Sequence, residues 1–202
     1  ITRQGDWFRY RGSLERIRND TWSNDSRHLN PVVISQNRKQ SAMLELGEND
    51  ITVTRLDLAF PVLHGKNGED GTVQGLFELA GIPVVGCDLL SSALCMDKDL
   101  AHRLVKEARI AVPKSITLRP WTMEGLHEKA KSFAYPLFVK PARAGSSFGI
   151  TKIYKEIQLE AAVKFAFEHD GKVVVEENVD GFEVGCAVLG KEELLVGRVD
   201  EI

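Results

Sequence analysis

This sequence has no long apolar run, no closely spaced pair of cysteines and no dominant charge of one sign. No apolar stretch approaches the roughly 20 residues of a membrane span, and we expect no signal peptide. The three cysteines include no Cys-x-x-Cys pair, which favours reduced thiols in a cytoplasmic protein over a disulfide framework. With a net charge of −3 and no basic stripe, we expect neither nucleic acid nor a membrane as a partner.

The composition is that of a folded protein. Hydrophobic residues make up 43% of the 202 positions, which supports a packed core and excludes general disorder. The length allows one large domain or two small ones. Residues 1–5 resemble the end of a strand, and residues 196–202 resemble a strand still in progress. Because domains seldom begin and end inside uncovered strands, we expect the sequence to be part of a longer protein.

The first half of the sequence predicts an open α/β sheet. Strands are expected at residues 31–35, 42–46, 51–56, 56–63 and 82–85, and helices at residues 13–19 and 73–80. The strands at residues 42–46 and 51–56 are expected to form a hairpin across residues 47–50. The run at residues 56–63 is almost continuously apolar, as strands buried in a parallel sheet are. With the helix that ends at Gly81, it predicts a βαβ unit, whose ligands bind at the carboxyl ends of the strands.

A loop rich in glycine and charge follows the predicted strand at residues 56–63. It reads His-Gly-Lys-Asn-Gly-Glu-Asp-Gly from His64 to Gly71 and lies at the edge of the sheet where ligands bind. Glu69 and Asp70 precede a helix, where the helix dipole favours negative charge. The alternative is that both acids cap the helix and His64 is an ordinary loop histidine. The density of glycines and charges favours a functional loop.

A helix is predicted to begin at Lys98 and to continue to about Ala108, with Asp97 as its N-cap. A lysine in the first turn opposes the helix dipole, and a local conflict of this kind suggests a function. The alternative is that Lys98 is one more solvated lysine on the surface of a helix.

The most informative stretch runs from Phe138 to Gly149 and reads Phe-Val-Lys-Pro-Ala-Arg-Ala-Gly-Ser-Ser-Phe-Gly. A predicted strand at residues 135–140 ends in Lys140, because the proline that follows cannot donate to a strand ladder. The glycines let backbone N–H groups approach an anion closely, so we expect this loop to cover a polyphosphate. The lysine precedes the glycines, unlike that of a Walker A loop, and an ordinary surface turn is the alternative.

Three acids gather near the end of a later predicted strand. The second half is predicted to contain helices at residues 122–134 and 156–169 and strands at residues 150–154, 172–177, 182–189 and 193–199. Glu176 and Glu177 end one of these strands, and Glu183 begins the next. A carboxylate or carbonyl at this point can accept from an adenine amino group, and a second carboxylate can take the ribose hydroxyls. A solvated acidic turn is the alternative.

Four stretches together resemble the D-alanine–D-alanine ligase family of the ATP-grasp superfamily. They are His64–Gly71, Cys95–Lys98, Phe138–Gly149 and Glu183–Gly190, and the likeness extends along essentially the whole sequence. Within the family, the sequence is most similar to vancomycin-resistance ligases. Residues 182–190 and 196–202 resemble the D-alanine–D-serine ligases of the VanG type.

This resemblance implies an α/β and α+β fold of the ATP-grasp ligases. Residues 1–95 would form the N-terminal open α/β domain, without its first strand. Residues 96–183 would form the central ATP-binding domain, and residues 184–202 would begin a C-terminal domain that is largely absent.

The same resemblance implies a role for individual residues. His64 and Glu69 would face the D-amino-acid site, and Ser146 would join a hydrogen-bond network beside the first substrate. The residues that would bind ATP are Lys98, Phe138, Val139, Lys140, Ser146, Ser147, Glu176, Glu177, Asn178, Val179 and Glu183. Among these, the two lysines would bind phosphates, Phe138 and Val139 would line the adenine site, and Glu183 would hold the ribose.

The chemistry implied is the ligation of D-alanine to a second D-substrate, with D-serine favoured, for modified peptidoglycan precursors. ATP phosphorylates the carboxylate of D-alanine, and the amine of the second substrate attacks the resulting D-alanyl phosphate. Mg²⁺ would bridge the phosphates. Its ligands are expected beyond Ile202, so no residue of this sequence is assigned to a metal.

Three alternatives to a D-alanine–D-serine ligase remain open from the sequence. The same fold could form D-alanyl-D-lactate or D-alanyl-D-alanine, because the loop that selects the second substrate is expected after Ile202. A chain with half of the ATP clamp could also bind ATP without turnover. A homodimer is implied by the family resemblance alone.

Overall fold

The computed structural model describes residues 1–145 and 147–202, which form two compact units. The first comprises Ile1–Ala108 and Ala142–Phe148, and the second comprises Arg109–Pro141 and Gly149–Ile202. The domain boundaries expected near residues 95 and 183 stay predictions. Every helix among the described residues is too short or too polar to span a lipid bilayer.

In its described residues, the first unit contains a four-stranded antiparallel sheet and four α-helices. The strands are β1 Phe8–Tyr10, β2 Leu29–Ile34, β3 Ala42–Leu46 and β4 Ile51–Arg55, and the helices are α1 Leu14–Arg18, α2 Thr72–Ala80, α3 Leu89–Met96 and α4 Lys98–Glu107. The strands lie in the order β1-β2-β3-β4. The predicted hairpin of β3 and β4 is confirmed, with Leu46 paired with Ile51 next to the turn.

The parallel part of this unit is much smaller than the sequence predicts. Instead of full strands at residues 56–63 and 82–85, the structure has a single parallel bridge between Ala59 and Val84. Two backbone hydrogen bonds, of 2.8 and 2.9 Å, close this bridge. Each segment contains one proline, which has no N–H to donate, so a longer ladder does not form.

Helix α2 packs against the parallel bridge and keeps the predicted βαβ order. Its apolar face and the bridge share one core, made of Ala59, Val73, Phe77, Ala80 and Ile82. The helix ends at Gly81, as predicted, where the backbone turns left-handed with φ +69°. This packing fixes the start of α2 and therefore the end of the loop that precedes it.

A buried carboxylate, Glu45, links the first three strands on one face of their sheet. Arg11 donates to its two oxygen atoms at 2.5 and 2.8 Å, Arg9 donates to it at 3.3 Å, and the Asn30 amide also donates to it. The hydrogen bonds from Arg11 and Asn30 outweigh the effect of burial and lower the pKa of Glu45 to about 2.

In its described residues, the second unit contains a four-stranded antiparallel sheet, a separate hairpin and two α-helices. The sheet strands are β5 Ser115–Leu118, β6 Leu137–Pro141, β7 Thr151–Ile153 and β8 Val173–Glu177, the hairpin strands are β9 Val184–Gly190 and β10 Leu194–Glu201, and the helices are α5 Leu126–Ala130 and α6 Leu159–Phe167. The sheet order is β5-β8-β6-β7. The hairpin confirms the strands predicted at residues 182–189 and 193–199.

Helix α6 covers one face of the second sheet. Its inward residues, Leu159, Ala162, Val163 and Ala166, pack with Val139 of β6, Ile153 of β7 and Val175 of β8. Successive residues of a strand point to opposite faces of the sheet, so the strand residues next to Val139, Ile153 and Val175 point away from α6. The second face therefore carries Phe138 and Lys140 of β6, Lys152 of β7, and Val174 and Glu176 of β8.

The helix predicted at residues 122–134 is interrupted and shorter. A 3₁₀ turn at Pro120–Thr122 comes first, and α5 begins only after Gly125, which has a left-handed backbone with φ +70°. Glycine adopts this left-handed conformation readily, and the conformation prevents a continuous helix across Gly125. The helix predicted at residues 156–169 also starts with a 3₁₀ turn, Glu156–Gln158, before α6.

Candidate nucleotide and substrate site

The His64–Gly71 loop is closed at its start by the carboxylate of Glu69. The N–H of Gly65 donates to Glu69 Oε2 at 2.5 Å, and His64 Nδ1 lies 3.9 Å from Glu69 Oε1. The imidazole is largely exposed, with 78% of its side-chain surface accessible. The structure thus brings together the two residues predicted to face the D-amino-acid site, on the solvent side of their loop.

The rest of this loop is held by Asp70 and Gln74. Asp70 accepts from the N–H groups of Asn67 at 2.9 Å and Thr72 at 3.1 Å. Burial raises the pKa of Asp70, but these hydrogen bonds outweigh it and keep the pKa below its usual value. Gln74 donates from Nε2 to the carbonyl of Gly68 at 3.0 Å. Asp70 therefore stabilises the end of the loop before α2, which is the structural alternative that the sequence left open for it.

The glycine-rich loop after β6 meets the His64–Gly71 loop at two glycines. A Cβ atom on Gly145 would lie only 2.8 Å from the Cα of Gly65, a separation that real Cβ atoms do not adopt. Gly65 itself has a left-handed backbone with φ +71°, which also favours glycine. Two loops that the sequence marks as functional are therefore in contact within the first unit.

Lys98 begins α4 and binds the glycine-rich loop through both of its nitrogen atoms. Its N–H donates to the carbonyl of Ala142 at 2.9 Å, and its Nζ donates to the carbonyl of Ala144 at 2.8 Å. Asp97 is the N-cap, as predicted, and its side chain accepts from the N–H of Leu100 at 3.2 Å. The ammonium that conflicts with the helix dipole is thus held beside the loop predicted to cover phosphates.

Ser147 lies in a tight turn of the glycine-rich loop. The N–H of Phe148 donates to the carbonyl of Gly145 at 3.1 Å, and Ser147 has a positive φ of 59°. A left-handed backbone is uncommon for serine and marks a constrained turn. Ser146 lies outside the described residues, so both of its expected roles stay predictions.

The second unit gathers an aromatic ring, a cation and an acid on the face of its sheet opposite α6. Phe138 of β6 and Glu176 of β8 are direct cross-strand partners. The Lys140 ammonium forms an ion pair with Glu176 and lies 4.9 Å from the centre of the Phe138 ring. The Glu176 side chain is only 6% exposed, and a carboxylate so buried is stable only with a close cation. Sequence separation hides this group, since Lys140 and Glu176 are 36 residues apart.

Val139 and Glu177 do not share that face. The side chain of Val139 is fully buried in the core with α6, so its backbone alone is available for the predicted contact with adenine. Glu177 Oε1 accepts from the N–H of Lys114 at 2.9 Å, which ties β8 to the segment before β5.

The remaining nucleotide residues predicted from the sequence lie beyond the end of β8. Asn178 donates from Nδ2 to Asp180 at 2.8 Å and from its N–H to the carbonyl of Pro136 at 3.3 Å. Val179 and Glu183 are exposed. Their expected contacts with adenine and ribose stay predictions.

Two family models match most of the chain. The model described as D-ala D-ala ligase N-terminus matches residues 1–87, and the model described as D-ala D-ala ligase C-terminus matches residues 104–202. This chain belongs to the D-alanine–D-alanine ligase family. The mixed α/β architecture of the ATP-grasp ligases, expected from the sequence, is confirmed by solved structures of this family.

Individual relatives of this ligase-family chain include vancomycin-resistance proteins. The crystal structure of the VanG D-Ala:D-Ser ligase from Enterococcus faecalis is 60% identical, with a TM-score of 0.91 over 100% of this chain and 58% of that chain. The vancomycin B-type resistance protein VanB of Enterococcus faecalis is 48% identical over 100% of this chain and 56% of its own length. A putative D-alanine–D-lactate ligase of Streptomyces coelicolor is 45% identical, again over 100% and 56%. The chain thus spans a little over half the length of these relatives.

In this chain of the ligase family, three residues of the second unit offer the kinds of groups that could bind an adenine nucleotide. Phe138 offers an aromatic surface, Lys140 a positive charge and Glu176 an acceptor, all on one face of the sheet. Among the residues that the structure describes, no three or more His, Cys, Asp or Glu side chains cluster to hold a metal ion.

Sequence reasoning missed Lys152 and Gln74. Lys152 of β7 is the cross-strand partner of Phe138, and its Nζ lies 5.0 Å from the centre of that ring. The alternation of strand residues holds the signal, because buried Ile153 points to the core and its neighbour must point away. Nothing in the local sequence indicates the contact between Gln74 and the loop that precedes it.

Proposed function

We propose that the full-length protein containing this chain is an ATP-dependent ligase that joins D-alanine to D-serine through D-alanyl phosphate. The observation that carries the proposal is the Lys140–Glu176 pair beside Phe138, in a chain of the D-alanine–D-alanine ligase family. The 60% identity to a D-Ala:D-Ser ligase supports D-serine as the second substrate. The product would enter modified peptidoglycan precursors and confer vancomycin resistance. We expect a cytoplasmic homodimer.

In this proposal, the face of the second sheet binds ATP. Lys140 attracts the phosphates, and Phe138 packs against the adenine ring. Glu176 has two tasks, since it compensates the lysine and offers an acceptor close to the adenine amino group. The backbone around Asn178 and Val179 continues the adenine contacts, and Glu183, directly before β9, accepts from the ribose hydroxyls.

The first unit would supply the substrate side. His64 and Glu69 face D-alanine, and Lys98, with the loop it holds, contacts phosphate. ATP supplies the phosphoryl group that activates the D-alanine carboxylate. The chain's own contribution is positioning and charge, because the reaction moves a phosphoryl group and then displaces phosphate.

A competition assay tests the proposal on the full-length protein. ATP, Mg²⁺ and D-alanine are supplied with equal concentrations of D-serine and D-lactate, and the products are identified by mass. We expect D-alanyl-D-serine as the main product, with one ADP formed for each ligation. No ligation product with any D-substrate would reject the proposal.

D-lactate is the second candidate. The 45% identity to a putative D-alanine–D-lactate ligase supports it over the same full chain. A main product of D-alanyl-D-lactate in the same assay would decide for this candidate. D-alanyl-D-alanine as the main product would make the protein an ordinary ligase of the family, and ATP binding without ligation would make it a nucleotide-binding protein.

A further inference from the structure

Lys152 lies on the face of the second sheet that is opposite α6 and that carries Phe138 and Lys140. It is the cross-strand partner of Phe138, which is in turn the partner of Glu176, so the three residues form a row across β7, β6 and β8. The Lys152 ammonium lies 5.0 Å from the centre of the Phe138 ring, and the Lys140 ammonium lies 4.9 Å from the same centre. Two positive charges therefore share one aromatic ring.

The two lysines differ in how their charges are compensated. Lys140 is ion-paired with buried Glu176. No carboxylate in residues 1–145 and 147–202 is paired with Lys152, whose described contacts are the rings of Phe138 and Tyr154, the latter at 6.0 Å. With Lys140 counted, this face carries two lysines and one glutamate, so one positive charge has no paired carboxylate among the described residues and favours an anion here.

Lys152 also has a defined place along the chain. The glycine-rich loop joins β6 to β7, and Val139 pairs with Thr151 where the two strands meet it. Lys140 follows the first of these residues and Lys152 follows the second, so one lysine stands at each stem of the loop predicted to cover phosphates. A cation–π contact alone would account for a surface lysine on an aromatic ring, but not for two at these stems.

We propose that Lys152 is a further nucleotide-binding residue, whose ammonium contacts the phosphate chain of ATP. This inference rests on the proposed function, because it requires that the nucleotide occupy the face of Phe138 and Lys140. It assigns Lys152 a charge contact with phosphate, and the competing role would be to hold the Phe138 ring in place for adenine.

The test compares nucleotides that differ only in their phosphates. Adenosine, ADP and ATP are titrated calorimetrically into the full-length wild-type protein and its Lys152→Gln variant. We expect Lys152→Gln to weaken ATP binding by about tenfold, the scale of one hydrogen bond to a charged group, and adenosine binding by less than about twofold. The slope of log Kd against log salt concentration for ATP should also fall, since one phosphate contact is lost.

Two variants serve as controls. Lys152→Arg keeps the charge and should bind ATP within about threefold of wild type. Lys191→Gln removes an equal charge in the β9–β10 turn and should leave all three affinities unchanged. Unchanged ATP binding in Lys152→Gln would overturn the inference, and so would an equal loss for adenosine and ATP. If the wild-type protein binds no ATP, the proposed function fails and this inference fails with it.

Discussion

The ammonium of Lys98 donates to the carbonyl of Ala144 at 2.8 Å, which fastens the first residue of α4 to the glycine-rich loop. The backbone of Lys98 holds the same loop two residues earlier, at Ala142. The loop is thus attached at two successive points by one residue. An ammonium bound to a neutral carbonyl can exchange it for a phosphate oxygen, because bonds between two charged partners are stronger.

Replacing Lys98 with methionine should loosen the loop. The variant removes the hydrogen bond to Ala144 while keeping a long side chain, and we expect amide exchange in residues 142–148 to become about tenfold faster. The measurement is hydrogen–deuterium exchange read by mass spectrometry. Lys106→Met, near the other end of α4, is the control and should leave exchange in the loop unchanged. Equal protection in wild type and Lys98→Met would show that the side chain does not restrain the loop.

Lys140 and Glu176 should be strongly coupled in stability. Lys140→Met removes the ammonium that is paired with the buried Glu176 carboxylate, and we expect a loss on the order of 3–5 kcal/mol in the free energy of unfolding. The double variant Lys140→Met/Glu176→Gln removes both charges and should lose less than Lys140→Met alone. A double-mutant cycle by urea denaturation measures this coupling. Additive effects would mean that the pair contributes nothing specific.

Loss of the Lys140 charge should also slow turnover. In the full-length protein, Lys140→Ala removes a predicted phosphate contact, and we expect the rate of ligation to fall on the order of 10²-fold or more. Steady-state kinetics with ATP and D-alanine give the value, at a temperature where the variant is folded. Lys191→Ala controls for net charge. Near wild-type turnover in Lys140→Ala would exclude the role proposed for this lysine.

Gly145 should tolerate no side chain. A Cβ atom there would meet the backbone of Gly65 at 2.8 Å, so Gly145→Ala must push the two loops apart. We expect a loss of roughly 1–3 kcal/mol in stability, the usual cost of overpacking, together with weaker D-alanine binding. Gly171→Ala is a matched control, because no atom lies within 4 Å of its added Cβ. An equally small effect of both substitutions on thermal unfolding would contradict the observed contact.

Glu45 should make the protein less stable in acid. Its pKa is about 2 in the folded state, against a usual value of 4.5. The unfolded state therefore binds more protons between these values, so the stabilisation is complete above about pH 4.5 and is lost as the pH falls through about 2. Urea midpoints at several pH values should decline less steeply in Glu45→Gln than in wild type. Parallel declines would exclude Glu45 as the titrating group.

Local sequence patterns predicted some parts of this chain well. The cap at Asp97, the helix end at Gly81 and the β3–β4 hairpin depend on residues close together in sequence, and all three are confirmed. The hydrophobic run at residues 56–63 was misleading, because apolar content suggested a strand while one proline limited its hydrogen bonds. Gly125 likewise outweighed the helical periodicity around it.

The candidate site was only partly readable from the sequence. The sequence marked Lys98, Lys140 and the glycine-rich loop, because charge and glycine are visible residue by residue. It could not show that Gly145 touches Gly65, since 80 positions of chain separate residues whose contact depends on the fold. The pairing of Lys140 with Glu176, and the place of Lys152 beside Phe138, follow from strand register, which local patterns do not fix.

The contacts of Glu45 also select one alignment of the first sheet over its neighbours. Glu45 pairs with Val32 across β2 and β3, and its carboxylate reaches Arg9 and Arg11 on the same face. Sliding β3 by one residue would move this acid to the opposite face, away from both guanidinium groups. The misaligned sheet would lose all of these bonds at once, so this single acid discriminates against a shifted hairpin while the chain is folding.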